Sequence, residues 1–394
     1  MAATTPISER VHVAIFGRTN DGKSTLMNRL AGHDVAIVSD RPGTTTDPVQ
    51  KALEINGLGA AVLVDTPGLD DTTELGTERM ARTAKVLDKT DLAIVLFTAA
   101  EGASQLRIID ECRIREIPVI VALNKVDTLS EREATIGALS TLTKHRVVAI
   151  SALTGGGIDA LPQAIVEIYK QEERLITEGF CKAGDRVLLV MPQDKSAPKG
   201  RLIQPQVQTI RELLDRGCVP ICCTPDRMAQ ALASMTTPPE LIITDSQAFN
   251  EVYKLKPEAS TLSSFSILFA RYKGDIKLFV EGAKALERVT PQSRILIAEA
   301  CTHTPQNEDI GRVKLPQLLR KRFGDELRID IVGGADYPED LSCYDLVIHC
   351  GACMFNRKHV LSRIERARQQ GVAITNYGVI LAALTGILDR VRTA

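Results

Sequence analysis

The sequence has no tryptophan, no low-complexity tract and no internal repeat, which argues against the fibrous and disordered classes. Its formal net charge is only -1, so charge alone gives no reason to expect nucleic-acid binding. No apolar run approaches the roughly 18 residues of a membrane span, and the first residues lack the apolar core of a signal peptide. We therefore expect a soluble, cytoplasmic protein that binds neither nucleic acid nor membrane.

The length and the cysteine count limit the remaining classes. A chain of 394 residues is too long for one hydrophobic core and predicts two or three domains. The nine cysteines are an odd number without a secretory signal, which argues against a disulfide framework. Metal or thiol chemistry is the better expectation.

A phosphate-binding motif follows the first apolar strand. The stretch VHVAIF is predicted as a strand and runs into GRTNDGKST, which fits G-x-x-x-x-G-K-S in its strand-to-helix context. The glycines let backbone N–H groups surround phosphates, Lys23 reaches the outer phosphates, and the Ser24 hydroxyl can ligate Mg²⁺. The predicted phosphate contacts are Gly17, Asn20, Asp21, Gly22, Lys23, Ser24 and Thr25.

The next motif predicts where the magnesium ion and the terminal phosphate lie. The apolar stretch AVLV ends in Asp65-Thr66-Pro67-Gly68. Asp65 would hold Mg²⁺ through water, and the Gly68 amide would meet the terminal phosphate. Leu69 follows this motif, whereas Ras-like proteins have a glutamine near this position that orients the attacking water. Because leucine cannot orient water, intrinsic hydrolysis is expected to be slow.

Two later motifs indicate the base. Asp127, in the stretch NKVD after an apolar strand, can accept both the N1 and the exocyclic amine protons of guanine. Adenine lacks this donor pair, so the nucleotide is expected to be GTP. The later stretch SAL resembles the last base-contacting loop of small GTPases. The predicted base-side residues are Asn124, Lys125, Asp127, Ser151 and Ala152.

The stretch RPGTTTD between these motifs is predicted to be a first switch, which offers a threonine hydroxyl to Mg²⁺ only when the terminal phosphate is present. It resembles the P-G-T-T stretch of GTPases that modify tRNA or assemble ribosomes, and this resemblance favours Thr45. That family usually has arginine where Thr46 stands. Asn20 resembles the residue that coordinates potassium in cation-activated GTPases; alternatively, it only shapes the turn. The catalytic set is predicted to be Lys23, Thr45 and Gly68.

Two cysteine–histidine stretches lie near the C-terminus, CTH from residue 301 and HCGAC from residue 349, each after an apolar stretch predicted as a buried strand. Because ligands bind at the carboxyl ends of strands in an open α/β sheet, we expect the sulfurs to meet at one rim. Amide donors and a positive helix end after the second strand should favour the thiolates of Cys350 and Cys353.

Three thiolates, from Cys301, Cys350 and Cys353, suit a 4Fe-4S cluster whose fourth iron stays exchangeable. The alternative is a zinc site with three cysteines and one histidine, because a C-x-x-C motif alone does not distinguish zinc from an iron–sulfur cluster. His303 and His349 are candidates for a fourth ligand or a precursor contact, although each could also have a purely structural role.

The P-loop motifs, a middle α/β module and the cysteine–histidine stretches, in this order and at these lengths, resemble the FeFe-hydrogenase maturation GTPases, the HydF family, over the whole chain. This resemblance implies a homodimeric scaffold that carries a 4Fe-4S cluster on the three cysteines together with a transient diiron precursor. It also implies radical-SAM maturases as partners and the FeFe-hydrogenase apoprotein as recipient, with GTP regulating partner exchange. The alternative is a ribosome- or tRNA-associated GTPase with a structural zinc in its C-terminal domain.

The alternation of strands and helices predicts an α/β fold throughout. We expect an N-terminal P-loop GTPase domain over residues 1–172, followed by two smaller α/β domains with parallel sheets. Residues 173–262 are predicted to form a three-stranded module that dimerises by joining its edge to a copy. Residues 263–394 are predicted to bind the cluster.

Overall fold

A computed structural model describes residues 5–32, 40–41, 50–69, 76–170, 174–193, 202–300, 310–334 and 336–394. The chain divides into two compact units, Met1–Glu172 and Glu173–Ala394. Both alternate strands with helices, so the predicted α/β class is confirmed. None of the described helices combines the length and the apolar character needed to cross a bilayer.

The first unit is built on one seven-stranded sheet, in the order β2-β3-β4-β1-β5-β6-β7. Its strands are β1 (Val11–Phe16), β2 (Asp40–Arg41), β3 (Gln50–Ile55), β4 (Gly59–Asp65), β5 (Leu92–Phe97), β6 (Val119–Leu123) and β7 (Val147–Ala149). Its helices are α1 (Lys23–Gly32), α2 (Gly76–Leu87), α3 (Ala103–Ile114), α4 (Arg132–Thr143) and α5 (Ala160–Ile168). Pairing is antiparallel from β2 through β3 to β4 and parallel elsewhere.

Strand β1 is buried along its whole length and separates two hydrophobic cores. Val13 and Ile15 pack into the core on one face of the sheet, whereas Ala14 and Phe16 pack into the core on the other. The strand order also reverses at β1, because the chain adds β4 on one side and later β5 on the other. Such a reversal leaves a crevice at the carboxyl end of the strand, where the phosphate loop begins.

The second unit contains two four-stranded parallel sheets, β11-β10-β8-β9 and β13-β12-β14-β15. The first has strands β8 (Arg186–Val190), β9 (Val219–Cys223), β10 (Leu241–Thr244) and β11 (Thr261–Ser264), with helices α6 (Gln204–Asp215), α7 (Met228–Ala233), α8 (Phe249–Leu255) and α9 (Phe265–Lys273). The second has strands β12 (Arg294–Ala298), β13 (Arg328–Val332), β14 (Leu346–His349) and β15 (Ala373–Asn376), with helices α10 (Ile276–Ala283), α11 (Leu315–Phe323), α12 (Arg357–Gln369) and α13 (Tyr377–Leu384).

The middle sheet has four strands, so the predicted three-stranded sheet is wrong. The missing strand, β11, reads Thr-Leu-Ser-Ser and has no apolar alternation, the pattern on which the prediction relied. Its serines are buried because each hydroxyl has a partner: Ser263 donates to the carbonyl of Arg392 (2.9 Å), and Ser264 accepts from the amide of Ile267 and caps α9. The amide of Arg392 in turn donates to the carbonyl of Leu262 (2.8 Å), so the C-terminal segment lies against this edge of the sheet.

One hydrophobic core joins the two sheets of the second unit. It includes Leu188 and Ile242 from the first sheet and Ile295 and Val347 from the second. The cluster therefore runs across the boundary that the sequence suggested near residue 262, and the three-domain division stays a prediction.

Helix α10 packs directly on β15 at Gly282, where a Cβ atom would lie 1.9 Å from the carbonyl oxygen of Ile374. We expect Gly282→Ala to destabilise the protein by about 1–3 kcal/mol through overpacking against rigid backbone. The melting midpoint of the unit should fall by about 2–12 °C in calorimetry. Gly137→Ala is the control, because this helical glycine in α4 has open space around it and alanine favours the helix. Unchanged melting of the Gly282→Ala protein would contradict this close approach.

Candidate functional site

The phosphate loop is braced by its own lysine. The Lys23 amine donates to the carbonyl oxygens of Gly17 (3.1 Å) and Arg18 (2.9 Å), so it spans the loop that is predicted to hold the phosphates. Asn20 and Thr25 are exposed on the same motif. Asn20 has a φ of 66°, and asparagine is one of the few residues that adopt this left-handed conformation readily.

The Asp21 carboxylate is buried beneath the phosphate loop and holds it in place through hydrogen bonds. It accepts hydrogen bonds from the amide of Arg18 (2.6 Å), from the Gln105 side chain (3.1 Å) and from the Thr98 hydroxyl (3.3 Å). Asp21 and Gln105 are both buried. Asp21 was predicted to contact the cofactor, a role that stays a prediction. Sequence reasoning missed Gln105 and Thr98, because they belong to no motif and meet Asp21 only in the folded sheet.

The base-side motifs meet the phosphate loop through Asn124. Its side-chain amide donates to the carbonyl of Asp21 (2.8 Å), and its oxygen accepts from the amide of Ala152 (2.9 Å). Gly22 is required at the contact, because it has a φ of 93° and a Cβ would lie 2.4 Å from the Asn124 nitrogen. The three predicted motifs therefore converge on one site.

The side chains predicted to face the guanine base remain accessible. Lys125 and Asp127 are exposed, and Lys125 has a left-handed φ of 61°. Ser151 is buried, and its hydroxyl accepts a hydrogen bond from the amide of Thr154 (3.1 Å), which fixes the loop at the base side.

The predicted magnesium ligands are in contact with one another. The Ser24 hydroxyl donates to Oδ2 of Asp65 (2.6 Å). Oδ1 of Asp65 is buried and has no hydrogen-bond partner among the residues that the structure describes. A buried carboxylate oxygen normally has a hydrogen-bond partner. Since Mg²⁺ prefers oxygen ligands, this carboxylate oxygen and the neighbouring Ser24 hydroxyl suit a magnesium ion. Thr45, the third predicted ligand, lies outside the described residues.

The D-T-P-G motif packs closely on the phosphate loop. A Cβ at Gly68 would lie 2.2 Å from the Thr19 hydroxyl and 3.0 Å from its amide nitrogen, so only glycine fits. The amide of Leu69 donates to the carbonyl of Gly17 (3.1 Å). This packing brings Gly68 beside the loop that is expected to hold the phosphates.

The cysteine turn, residues 350–353, follows the carboxyl end of β14 in the sheet β13-β12-β14-β15. Here too the strand order reverses, because β13 lies on one side of β12 and β14 on the other. The amide of Cys350 donates to the carbonyl of Ala298 (3.0 Å) at the end of β12. The Cys350 sulfur accepts from the amides of Ala300 (3.0 Å) and Ala352 (3.4 Å). Cys350 thus contacts the residue that precedes Cys301.

Burial opposes the predicted thiolate at Cys350. Two amides donate to its sulfur as expected, but desolvation outweighs them and raises the pKa of the thiol to about 11. The helix after the turn, α12, begins at Arg357, and the Asn356 side chain caps it by accepting from the amide of His359. Without a bound metal, burial therefore favours the neutral thiol of Cys350, and ligation through its thiolate stays a prediction.

The structure describes only part of the predicted cluster ligands. Cys353 is half-buried in the same turn, whereas Cys301 and His303 lie outside the described residues. Within the described ranges, no three His, Cys, Asp or Glu side chains are grouped closely enough to hold a metal ion. The shared ligation by all three cysteines therefore stays a prediction.

His349 uses both ring nitrogens inside the protein. It is 1% exposed; Nδ1 donates to the carbonyl of Cys350 (2.8 Å), and Nε2 accepts from the Arg363 guanidinium (3.1 Å). Burial and the Arg363 charge lower the pKa of His349 to about 3, which is consistent with this neutral form. In this arrangement the ring holds the cysteine turn, and its role as a ligand stays a prediction.

The second unit matches two protein families along nearly its whole length. Residues 176–274 match the hydrogen maturase F dimerization domain, and residues 277–393 match the hydrogen maturase F tetramerization domain. The chain belongs to the hydrogen maturase F (HydF) family. In this HydF chain, residues 12–125 match the 50S ribosome-binding GTPase family, so the first unit carries a P-loop GTPase domain.

Similarity to curated proteins centres on GTPases. The tRNA modification GTPase MnmE of Nitrosomonas europaea is 33% identical over 191 residues, which are 48% of this chain and 41% of that protein. GTPase Der of Campylobacter concisus is 36% identical over 173 residues, 41% of this chain and 37% of that protein. The HydF chain therefore spans less than half the length of these relatives. A crystal structure of Era with MgGDPNP and 16S ribosomal RNA has 22% identity and a TM-score of 0.34, and the match covers 54% of this chain and 92% of Era.

Asn124 joins the phosphate loop to the base-side loop, so we expect Asn124→Ala to weaken nucleotide binding. The substitution leaves the amide of Ala152 and the carbonyl of Asp21 without their side-chain partner, which costs about 1–3 kcal/mol. Affinity for a fluorescent GDP analogue should fall about tenfold to a hundredfold. Asn28→Ala, an exposed asparagine on α1, is the control and should bind normally. Equal affinities in both variants would rule out the bracing role of Asn124.

Proposed function

We propose that this chain is a GTP-hydrolysing scaffold of FeFe-hydrogenase maturation. It holds a 4Fe-4S cluster and a transient diiron precursor, and it delivers the precursor to the FeFe-hydrogenase apoprotein. The observation that carries the proposal is the cysteine turn within the matched tetramerization domain, where the Cys350 sulfur contacts the residue before Cys301. A GTPase domain in the same chain supports a regulated carrier.

Cys350 and Cys353, the two proposed cysteine ligands that the structure describes, lie in one turn and suit a cluster there. The Cys350 sulfur accepts hydrogen bonds from two backbone amides. Such hydrogen bonds stabilise a thiolate ligand once bound iron offsets the cost of burying its charge. Cys350, Cys353 and Cys301 would hold the cluster, which would supply an iron with an exchangeable position for the cyanide of the precursor. His349 and Arg363 support the turn from the protein side, since they are hydrogen bonded to each other and to its backbone.

The GTPase site supports GTP as the substrate. Asp127 recognises the guanine edge, while Lys23 and the Gly68 amide contact the phosphates. Ser24 and Asp65 would hold Mg²⁺, which neutralises charge on the phosphates when bound. Hydrolysis is slow, because Leu69 stands beside the motif where other GTPases place a water-orienting side chain. GTP hydrolysis times a conformational change of the switch segments. This change regulates when the radical-SAM maturases and the hydrogenase bind to the scaffold and leave it.

Self-association is supported by the matched dimerization and tetramerization domains. In the middle sheet, the C-terminal segment lies against β11, which leaves β9 as the other edge. Val219 on β9 is 50% exposed, and Cys222 is also exposed. A homodimer formed along β9 would bury these side chains, with Pro220 limiting the backbone pairing because it has no N–H.

Asn20 allows a sharp test of potassium activation. Asn20→Gly keeps the left-handed backbone that the φ of 66° requires but removes the carboxamide. If the carboxamide holds K⁺ beside the phosphates, replacing Na⁺ with K⁺ should speed GTP hydrolysis at least about tenfold in the unaltered protein and not in the variant. Phosphate release in either salt measures both rates. A variant that keeps the full potassium response would show that Asn20 only shapes the turn.

The cluster is tested by anaerobic reconstitution with iron and sulfide. The unaltered protein should bind about four irons and give an S = 1/2 EPR signal when reduced. A variant with Cys301→Ala, Cys350→Ala and Cys353→Ala should lose both. Cys222→Ala, an exposed cysteine outside the turn, is the matched control and should keep them.

The same experiment separates the proposal from its alternative. A colourless protein that holds stoichiometric zinc through these cysteines would favour a ribosome- or tRNA-associated GTPase with a structural zinc in its C-terminal domain. That alternative has support only from the GTPase domain, where the curated relatives match.

A further inference from the structure

The cysteine turn contains a strained residue. Ala352, between the two cysteines, has a φ of 52°, a left-handed conformation that alanine rarely adopts. The amide of Ala352 donates to the Cys350 sulfur (3.4 Å). Strained residues of this kind persist only where the surrounding structure holds them. The donor to the Cys350 sulfur therefore belongs to a residue whose conformation the surrounding structure must hold.

A buried lysine holds this residue. Lys273 is 2% exposed, and its amine donates to the carbonyls of Phe355 (2.9 Å) and Ala352 (3.4 Å). The Ala352 carbonyl also accepts from the amide of Phe355 (3.1 Å). Because this carbonyl belongs to the peptide bond between Ala352 and Cys353, the lysine fixes the segment that separates the two sulfurs.

The lysine comes from a different part of the chain. It is the last residue of α9 and lies within the matched dimerization domain, whereas the turn lies within the matched tetramerization domain. A second link runs in the opposite direction: Arg357 donates to the carbonyls of Tyr272 (3.4 Å) and Gly274 (3.2 Å), on either side of the lysine. The end of α9 and the cysteine turn are thus fastened together from both sides.

We propose that Lys273 is a positioning residue that fixes the sulfurs of Cys350 and Cys353 and ties the cysteine turn to the dimerization module. Its relevance to a cluster rests on the proposed function, but its effect on the turn does not. A charged donor to two carbonyls is a strong anchor for a strained turn, since such hydrogen bonds exceed neutral ones in strength. The lysine reaches the sulfurs through the backbone and does not ligate iron.

The first measurement uses the metal-free protein under anaerobic conditions. Lys273→Met keeps the length and volume of the side chain but removes the charge and the donors. We expect Cys350 and Cys353 to react with iodoacetamide at least about tenfold faster in this variant, as the turn opens more often. Peptide mass spectrometry assigns the rate to each cysteine. Lys277→Met, an exposed lysine on α10, should react like the unaltered protein, and Lys273→Arg should recover part of the protection.

The second measurement uses the reconstituted protein. Lys273→Met should give a cluster with shifted g values and faster loss of iron to a chelator, while nucleotide affinity stays unchanged. Lys273→Arg should move both towards the unaltered values and is the informative variant if Lys273→Met fails to fold. Unchanged thiol reactivity and unchanged g values in a folded Lys273→Met protein would overturn the proposal. If the unaltered protein binds no cluster but Lys273→Met still exposes the thiols, the proposed function fails and the positioning role stands.

Discussion

A parallel sheet that reverses its strand order must leave a crevice at the carboxyl end of the central strand, because the connections on either side leave towards opposite faces. This constraint places both candidate sites of the chain. In the first unit it opens beyond β1, flanked by β4 and β5, and the phosphate loop fills it. In the second unit it opens beyond β12, flanked by β13 and β14, and the cysteine turn lies at its rim. Motifs far apart in the sequence meet because the strands that precede them are neighbours.

Apolar pattern and motif spacing predict much of this arrangement. The bounds of β9 and β12 follow directly from their apolar residues, and the nucleotide motifs converge as their strand-to-loop positions indicate. The pattern fails at β11, whose serines are buried through hydrogen bonds rather than hydrophobicity. It also gives no sign of the contact between Asp21 and Gln105, since a buried polar pair on separate elements leaves no periodic trace.

The cysteine turn shows why motif chemistry alone is incomplete. The sequence correctly places amide donors near Cys350, but it contains no measure of desolvation, which raises the pKa of the thiol to about 11. The neutral His349 has the same cause, because its ring is enclosed and already hydrogen bonded on both nitrogens. The pKa values of the polar groups in this turn therefore depend on burial as much as on residue type. Lys273 is one of the buried residues that surround the turn.

The continuous hydrophobic core beneath the two sheets of the second unit has a practical consequence. Although separate family domains match the two halves, each half covers part of the apolar surface of the other, since Leu188 and Ile295 belong to the same cluster. A fragment cut between them would expose that surface to water and tend to aggregate. The two halves are therefore expected to melt in one cooperative transition.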